Sequence, residues 1–158
     1  MTVQATHRGA ATVGYVQDLP PLERDAVLYL RLWCDGPDAQ ARVWTAFAAS
    51  LGPEAGRPAL KALENLCMLC LRHGRRPMAR HGVACKCLGA DEACFANFVG
   101  YASEGSTEDA LLLATTLVRP DMGYQVVGLA QEFGLALRRM VLRSQDPPRR
   151  VPLSVTLH

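Results

Sequence analysis

Long apolar runs are missing from this chain. No stretch of about eighteen apolar residues occurs, which excludes a membrane-spanning helix. The N-terminal MTVQATHRGAATVGYVQ has no apolar segment behind a basic start, so no signal peptide is read there and the expected compartment is the cytoplasm. Lysine is scarce: only Lys61 and Lys86 stand against fifteen arginines. With alanine and glycine abundant, that bias reads as the codon usage of a GC-rich bacterial genome. The net charge of +2 is too small to predict a nucleic-acid partner by itself.

Catalytic signatures are missing too. There is no phosphate-cradling glycine loop, no G-x-S-x-G and no H-E-x-x-H. The deaminase order H-x-E before C-x-x-C is absent. Of four histidines, His7 and His158 lie near the ends. Glu92, near Cys94, is the only candidate general base, so the expectation leans away from an enzyme.

What is present suits one globular domain. The chain has 158 residues, 49% hydrophobic and 20% charged, long enough to bury a core without disulfides. Residues 1–20 lack helical period and are read as an extended arm. Residues 21–145 are read as a helical domain, and 146–158 as an extended tail whose apolar VPLSVTL could join a second copy in a homodimer. The first helix is marked by a stripe of Leu22, Ala26, Leu30 and Trp33. A second follows Asp35-Gly36-Pro37 and stops at Gly52-Pro53. A third is expected from Pro58 to His73, a fourth from Ala90 to Ala102, a fifth from Ala110 to Val118 and a last from Pro120 to Ser144. No convincing strand is found between them. The expected class is all-α: a bundle or orthogonal array of about six helices with a cysteine-rich metal-binding loop between the third and fourth.

Two tight thiol pairs carry the strongest chemical signal. Cys67-Met68-Leu69-Cys70 places two sulfurs one turn apart on an apolar helix face. Cys85-Lys86-Cys87 follows in a polar loop, where core packing does not account for thiols. In a cytoplasm, paired cysteines point to metal or redox chemistry and not to structural disulfides. Zinc takes tetrahedral thiolate and imidazole ligands from short-spaced pairs, so the first expectation is a structural zinc on Cys67, Cys70, Cys85 and Cys87. His73, His81 and Cys94 are possible substitutes. An iron–sulfur cluster serving redox sensing is the second expectation, although the spacing matches neither ferredoxin run. A dithiol redox site is third, because a reactive C-x-x-C usually starts a helix and this one ends it. Leu71 stands where haem attachment needs histidine. Cys34, beside Trp33, reads as a core residue.

No acid occurs between Asn65 and Ala90, whereas Arg72, Arg75, Arg76, Arg80 and Lys86 do. These cations would compensate a thiolate cluster, or alternatively meet phosphate or an acidic partner. Residues 126–143 allow two readings. Val126, Ala130, Phe133, Leu137 and Met140 form one continuous stripe. Ala130 and Gly134, ahead of Arg138 and Arg139, also resemble the centre of a helix-turn-helix that would offer arginines to DNA. Ala136 and Arg143 depart from that pattern. The favoured function is a non-enzymatic binding or regulatory module with a structural zinc, its partner an unidentified protein. A DNA-binding regulator and an iron–sulfur sensor are the alternatives.

Overall fold

The computed structural model describes residues 8–146. The tail from 147 and its expected dimer contact lie outside the described residues, as do His7 and His158. Three prolines and two glycines set out the first half of the chain. Helix α1 (Pro21–Cys34), α2 (Pro37–Leu51) and α3 (Pro53–Arg72) each begin with proline in the first turn, where its missing N–H costs nothing. Gly36 and Gly52 join them at φ of 113° and 82°, a backbone region that disfavours other residues. Helices α4 (Ala90–Ser103), α5 (Thr107–Leu117) and α6 (Gly123–Gln145) complete the array.

Three expected helix starts move, and α6 is one of them: it begins at Gly123, after a short turn over Pro120–Met122. Helix α3 starts at Pro53 and not Pro58, and Pro58 lies inside it. The second helix stops at Gly52-Pro53 as expected, and the same Gly52 caps the start of the next. Helix α5 starts at Thr107, three residues before the expected Ala110.

The chain also contains strands that the sequence reading did not find. Strand β1 (Thr12–Tyr15) pairs antiparallel with β2 (Cys87–Gly89), Tyr15 opposite Cys87 and Gly14 opposite Leu88. Runs of four and three residues are too short for an alternating pattern to register. Most of the expected extended arm is thereby tied down: Gly9 is buried, and a side chain there would run into the Asp91 carboxylate.

The core lies between α2, α3, α4 and α6. Val43, Phe47, Leu63, Leu66, Phe95, Phe98, Val99, Phe133 and Leu137 are fully buried. Tyr29 meets Phe47 edge-on at 5.0 Å between ring centres, and Phe47 stacks on Phe133 at 6.4 Å. Each such ring contributes about 1.5–3 kcal/mol by leaving water.

Residues 126–143 lie within the single helix α6, so the turn of a helix-turn-helix is not formed. Gly134 has a different task. A Cβ there would lie 2.7 Å from the Ser103 Cβ and 3.0 Å from the Val99 carbonyl. The glycine lets α6 and α4 cross closely, which offsets its cost of about 1 kcal/mol within a helix. Arg138 donates to Ser103 Oγ at 3.1 Å, so one of the two arginines expected at a groove is held against the protein itself. Arg139 remains exposed.

Candidate functional site

All six cysteines lie around the C-terminal ends of α1 and α3, the segment 73–89 and the start of α4, and none is in a disulfide. They fall into two groups. Cys67 and Cys70 sit in the last turns of α3 with their side chains in the core. Cys34, at the end of α1, packs against the same core and is half-buried. It faces Cys67, and Arg80 lies near both. Cys94, on α4, reaches the edge of this group and hydrogen-bonds Thr116 Oγ1 at 3.0 Å.

The charge distribution within this group is uneven. The neighbouring Cys67 thiol favours the charged form of Cys34, and the Arg80 guanidinium adds a positive field. Together they hold the Cys34 thiol at about 7 against the opposing effect of burial. Cys67 is pushed well above its usual value by the neighbouring Cys34 and by burial. Burial, then the neighbouring Cys34 and Cys94, raises Cys70 to about 12. Burial also raises Cys94, with Thr116 opposing. The partly exposed sulfur is therefore the most readily ionised of this group, and the buried sulfurs hold their protons more tightly.

Cys85 and Cys87 are held elsewhere, through their backbone. Arg31 is buried on α1, one turn before Cys34. Its guanidinium donates to both Glu92 carboxylate oxygens at 2.5 and 2.9 Å, to the Cys85 carbonyl at 2.6 Å and to the Cys87 carbonyl at 2.8 Å. Glu92 is fully buried and also accepts from the Gly89 N–H at 3.1 Å. The hydrogen bond to Glu92 raises the Arg31 pKa further. This pairing fixes the C-x-C segment between α1 and α4. It also occupies both oxygens of Glu92, the residue expected as a candidate base.

The expected ligand set is therefore divided. Among the described residues, no three His, Cys, Asp or Glu side chains come together closely enough to hold a metal ion. The helical pair Cys67 and Cys70 is joined by Cys34, while Cys85 and Cys87 lie along the Arg31 anchor. His73 is turned to the link after α5, its Nδ1 3.0 Å from the Arg119 guanidinium. His81 Nε2 lies 3.2 Å from the Ala10 carbonyl.

The basic segment is divided as well. Arg76 makes a two-bond pair with Asp91 at 2.6 and 2.9 Å, and the same carboxylate accepts from the Ala79 N–H at 2.8 Å. Arg80 accompanies the Cys34–Cys67 pair, whereas Arg72 and Arg75 are exposed. Compensation thus accounts for two of these arginines, although the partner of Arg76 is a carboxylate.

Two residues carry more than the sequence reading gave them. Cys34 was read as a core residue and does pack against the core, but its sequence neighbours say nothing about its place near α3. Arg31 carried a usable signal: it is a lone charge within the apolar run Tyr29-Leu30-Arg31-Leu32-Trp33, and such a charge is buried only when paired. Beside the thiols, a groove of about 310 Å³ runs between Trp33, Gln40, Met68 and Leu71, with Cys67 in its wall. No family model, no curated protein and no solved structure matches this chain.

Proposed function

We propose that this chain is a non-enzymatic regulatory module that works through its thiols. The observation that supports this reading is the place of Cys34 at the edge of the core: a half-buried sulfur whose pKa is held down to about 7, near Arg80 and the buried thiols of α3. A thiolate stabilised by a cation and a neighbouring donor is the reactive form of cysteine. A second thiol within reach lets oxidation stop at a reversible stage. A change at Cys34 would be felt at Arg31, one turn away on the same helix, and so at the buried anchor of the C-x-C segment.

Zinc, the first expectation from sequence, would require the sulfurs of Cys85 and Cys87 to draw together with those of Cys67 and Cys70, which are not gathered at one point among the described residues. An iron–sulfur cluster would require the same rearrangement. The deciding experiment is elemental analysis with thiol titration in denaturant, on full-length protein purified anaerobically. The thiol reading expects no stoichiometric metal and six titratable thiols, lost two at a time on mild oxidation. One zinc per chain would replace it with the structural-zinc module, and iron with sulfide would replace it with the cluster sensor.

A further inference from the structure

Helix α3 carries two apolar faces. One is its buried stripe of Ala59, Ala62, Leu63, Leu66 and Cys70. The other looks outward. Leu60, Glu64, Met68 and Leu71 recur at four, four and three residues, which returns them to one side of a helix. Met68 and Leu71 are 37% and 49% exposed. Helix α2 runs back along this face. Its Trp44 lines a groove of about 340 Å³ with Arg57 and Leu60, and its Gln40 lines the groove of about 310 Å³ with Met68 and Arg72. Glu64 belongs to both, so the two are one furrow. Trp33 stands at its far end, where Gln40 Nε2 donates to the Trp33 carbonyl at 2.9 Å and ties α1 to α2. Both tryptophans of the chain, each half-buried, thus line this furrow.

The rim is basic. Arg57, Lys61 and Arg72 line it against one acid, Glu64, which Lys61 already pairs at 3.2 Å. Among the described residues neither Arg57 nor Arg72 is paired with an acid. Tryptophan, methionine and arginine are the side chains enriched where proteins meet. Residues 57–72 of α3 extend about 22 Å, the length of some four helical turns.

We propose that this furrow is the seat of an acidic amphipathic helix of a partner protein. The apolar side of that helix covers Trp33, Trp44, Leu60, Met68 and Leu71, and its carboxylates pair with Arg57 and Arg72. Other occupants match the rim less well. Residues 147–158 bring Arg149 and Arg150 and no acid. A second copy bound about a two-fold axis would set basic rim against basic rim. Docking in the furrow needs no thiol chemistry.

The probe is a synthetic peptide of about eighteen residues, leucine at alternating third and fourth positions and glutamate between, with a lysine-for-glutamate twin as control. Fluorescein anisotropy of the labelled peptide is followed as full-length reduced protein is added at low salt. The acidic peptide should bind saturably, at least about tenfold more tightly than its twin, and more weakly as salt is raised. Unlabelled acidic peptide should shift the emission of Trp33 and Trp44 to shorter wavelength. Arg57→Glu with Arg72→Glu, and separately Leu71→Glu, should each weaken binding by at least about tenfold. Arg8→Glu with Arg24→Glu, the same change of net charge away from the furrow, should weaken it by less than about threefold. All five positions are exposed, so the fold should tolerate these changes. No binding, equal binding of the two peptides, or equal loss in both double variants would overturn the proposal. Sedimentation of the protein alone covers the remaining case: self-association abolished by Leu71→Glu would assign the furrow to a second copy and overturn the partner helix.

Discussion

Cys67 and Cys70 are buried on a helix, and Cys85 and Cys87 are half-buried along a strand and the turn before it. The first pair is held by its side chains, within a core that includes Leu63, Leu66 and Phe98. The second is held by its carbonyls, on the buried guanidinium of Arg31. The sulfurs of the helical pair belong to packing and to the Cys34 contact. The backbone, not the sulfur, of the loop pair closes the fold at that end. Two closely spaced pairs thus occupy unlike environments, and the polar atoms around each decide which can do thiol chemistry.

The strongest way to break this comparison is to remove the anchor. Arg31→Met leaves Glu92 buried without a counter-charge and two carbonyls without donors. It should cost about 3–5 kcal/mol, read from the midpoint of denaturant unfolding. Adding Glu92→Gln should recover much of that, because no charge then stays buried while the Gly89 N–H keeps its acceptor. If Arg31→Met leaves the midpoint unmoved, the loop pair is held by something else.

Serine substitutions sharpen the contrast at smaller cost. Under reducing conditions Cys67→Ser buries a hydroxyl in the core and should lose about 1–3 kcal/mol. Cys85→Ser and Cys87→Ser should each stay within about 0.5 kcal/mol. A metal shared by the two pairs would make all three comparably destabilising and remove the distinction.

The smallest effect is on reactivity. The Cys34 thiolate is the reactive form, and its pKa is held down at about 7 by Cys67 and Arg80. Its alkylation by iodoacetamide should rise as pH passes up through about 7 and level off above it. Cys34→Ser should remove this phase. Arg80→Ala takes away the positive field, so the midpoint should move upward and the rate at neutral pH fall by less than about tenfold. A midpoint unchanged in Arg80→Ala would show that Cys67 alone sets it.

The elements were readable where they are long and periodic. The stripe Val126, Ala130, Phe133, Leu137 and Met140 indicated a continuous α6, and that stripe is its buried face. The resemblance of the same segment to a helix-turn-helix turned on Gly134, whose reason lies on another helix at Ser103. The C-x-x-C and C-x-C spacings pointed to one shared site because spacing reports only what is local in the chain. Cys34 and Cys67 are 33 positions apart in sequence, and Arg31 and Glu92 are 61 apart.

Sequence by itself therefore determined that this is a helical domain, where its glycine and proline joints fall, and that thiols gather near the end of the third helix. Those properties follow from periodicity and backbone conformation, which act over a few residues. Tertiary structure decided which thiols meet, that Arg31 and Glu92 neutralise each other in the core, and that a short strand pair ties the N-terminal segment to the C-x-C. These are contacts between distant segments, set by how helix faces bury apolar area together and by the need to pair every buried charge.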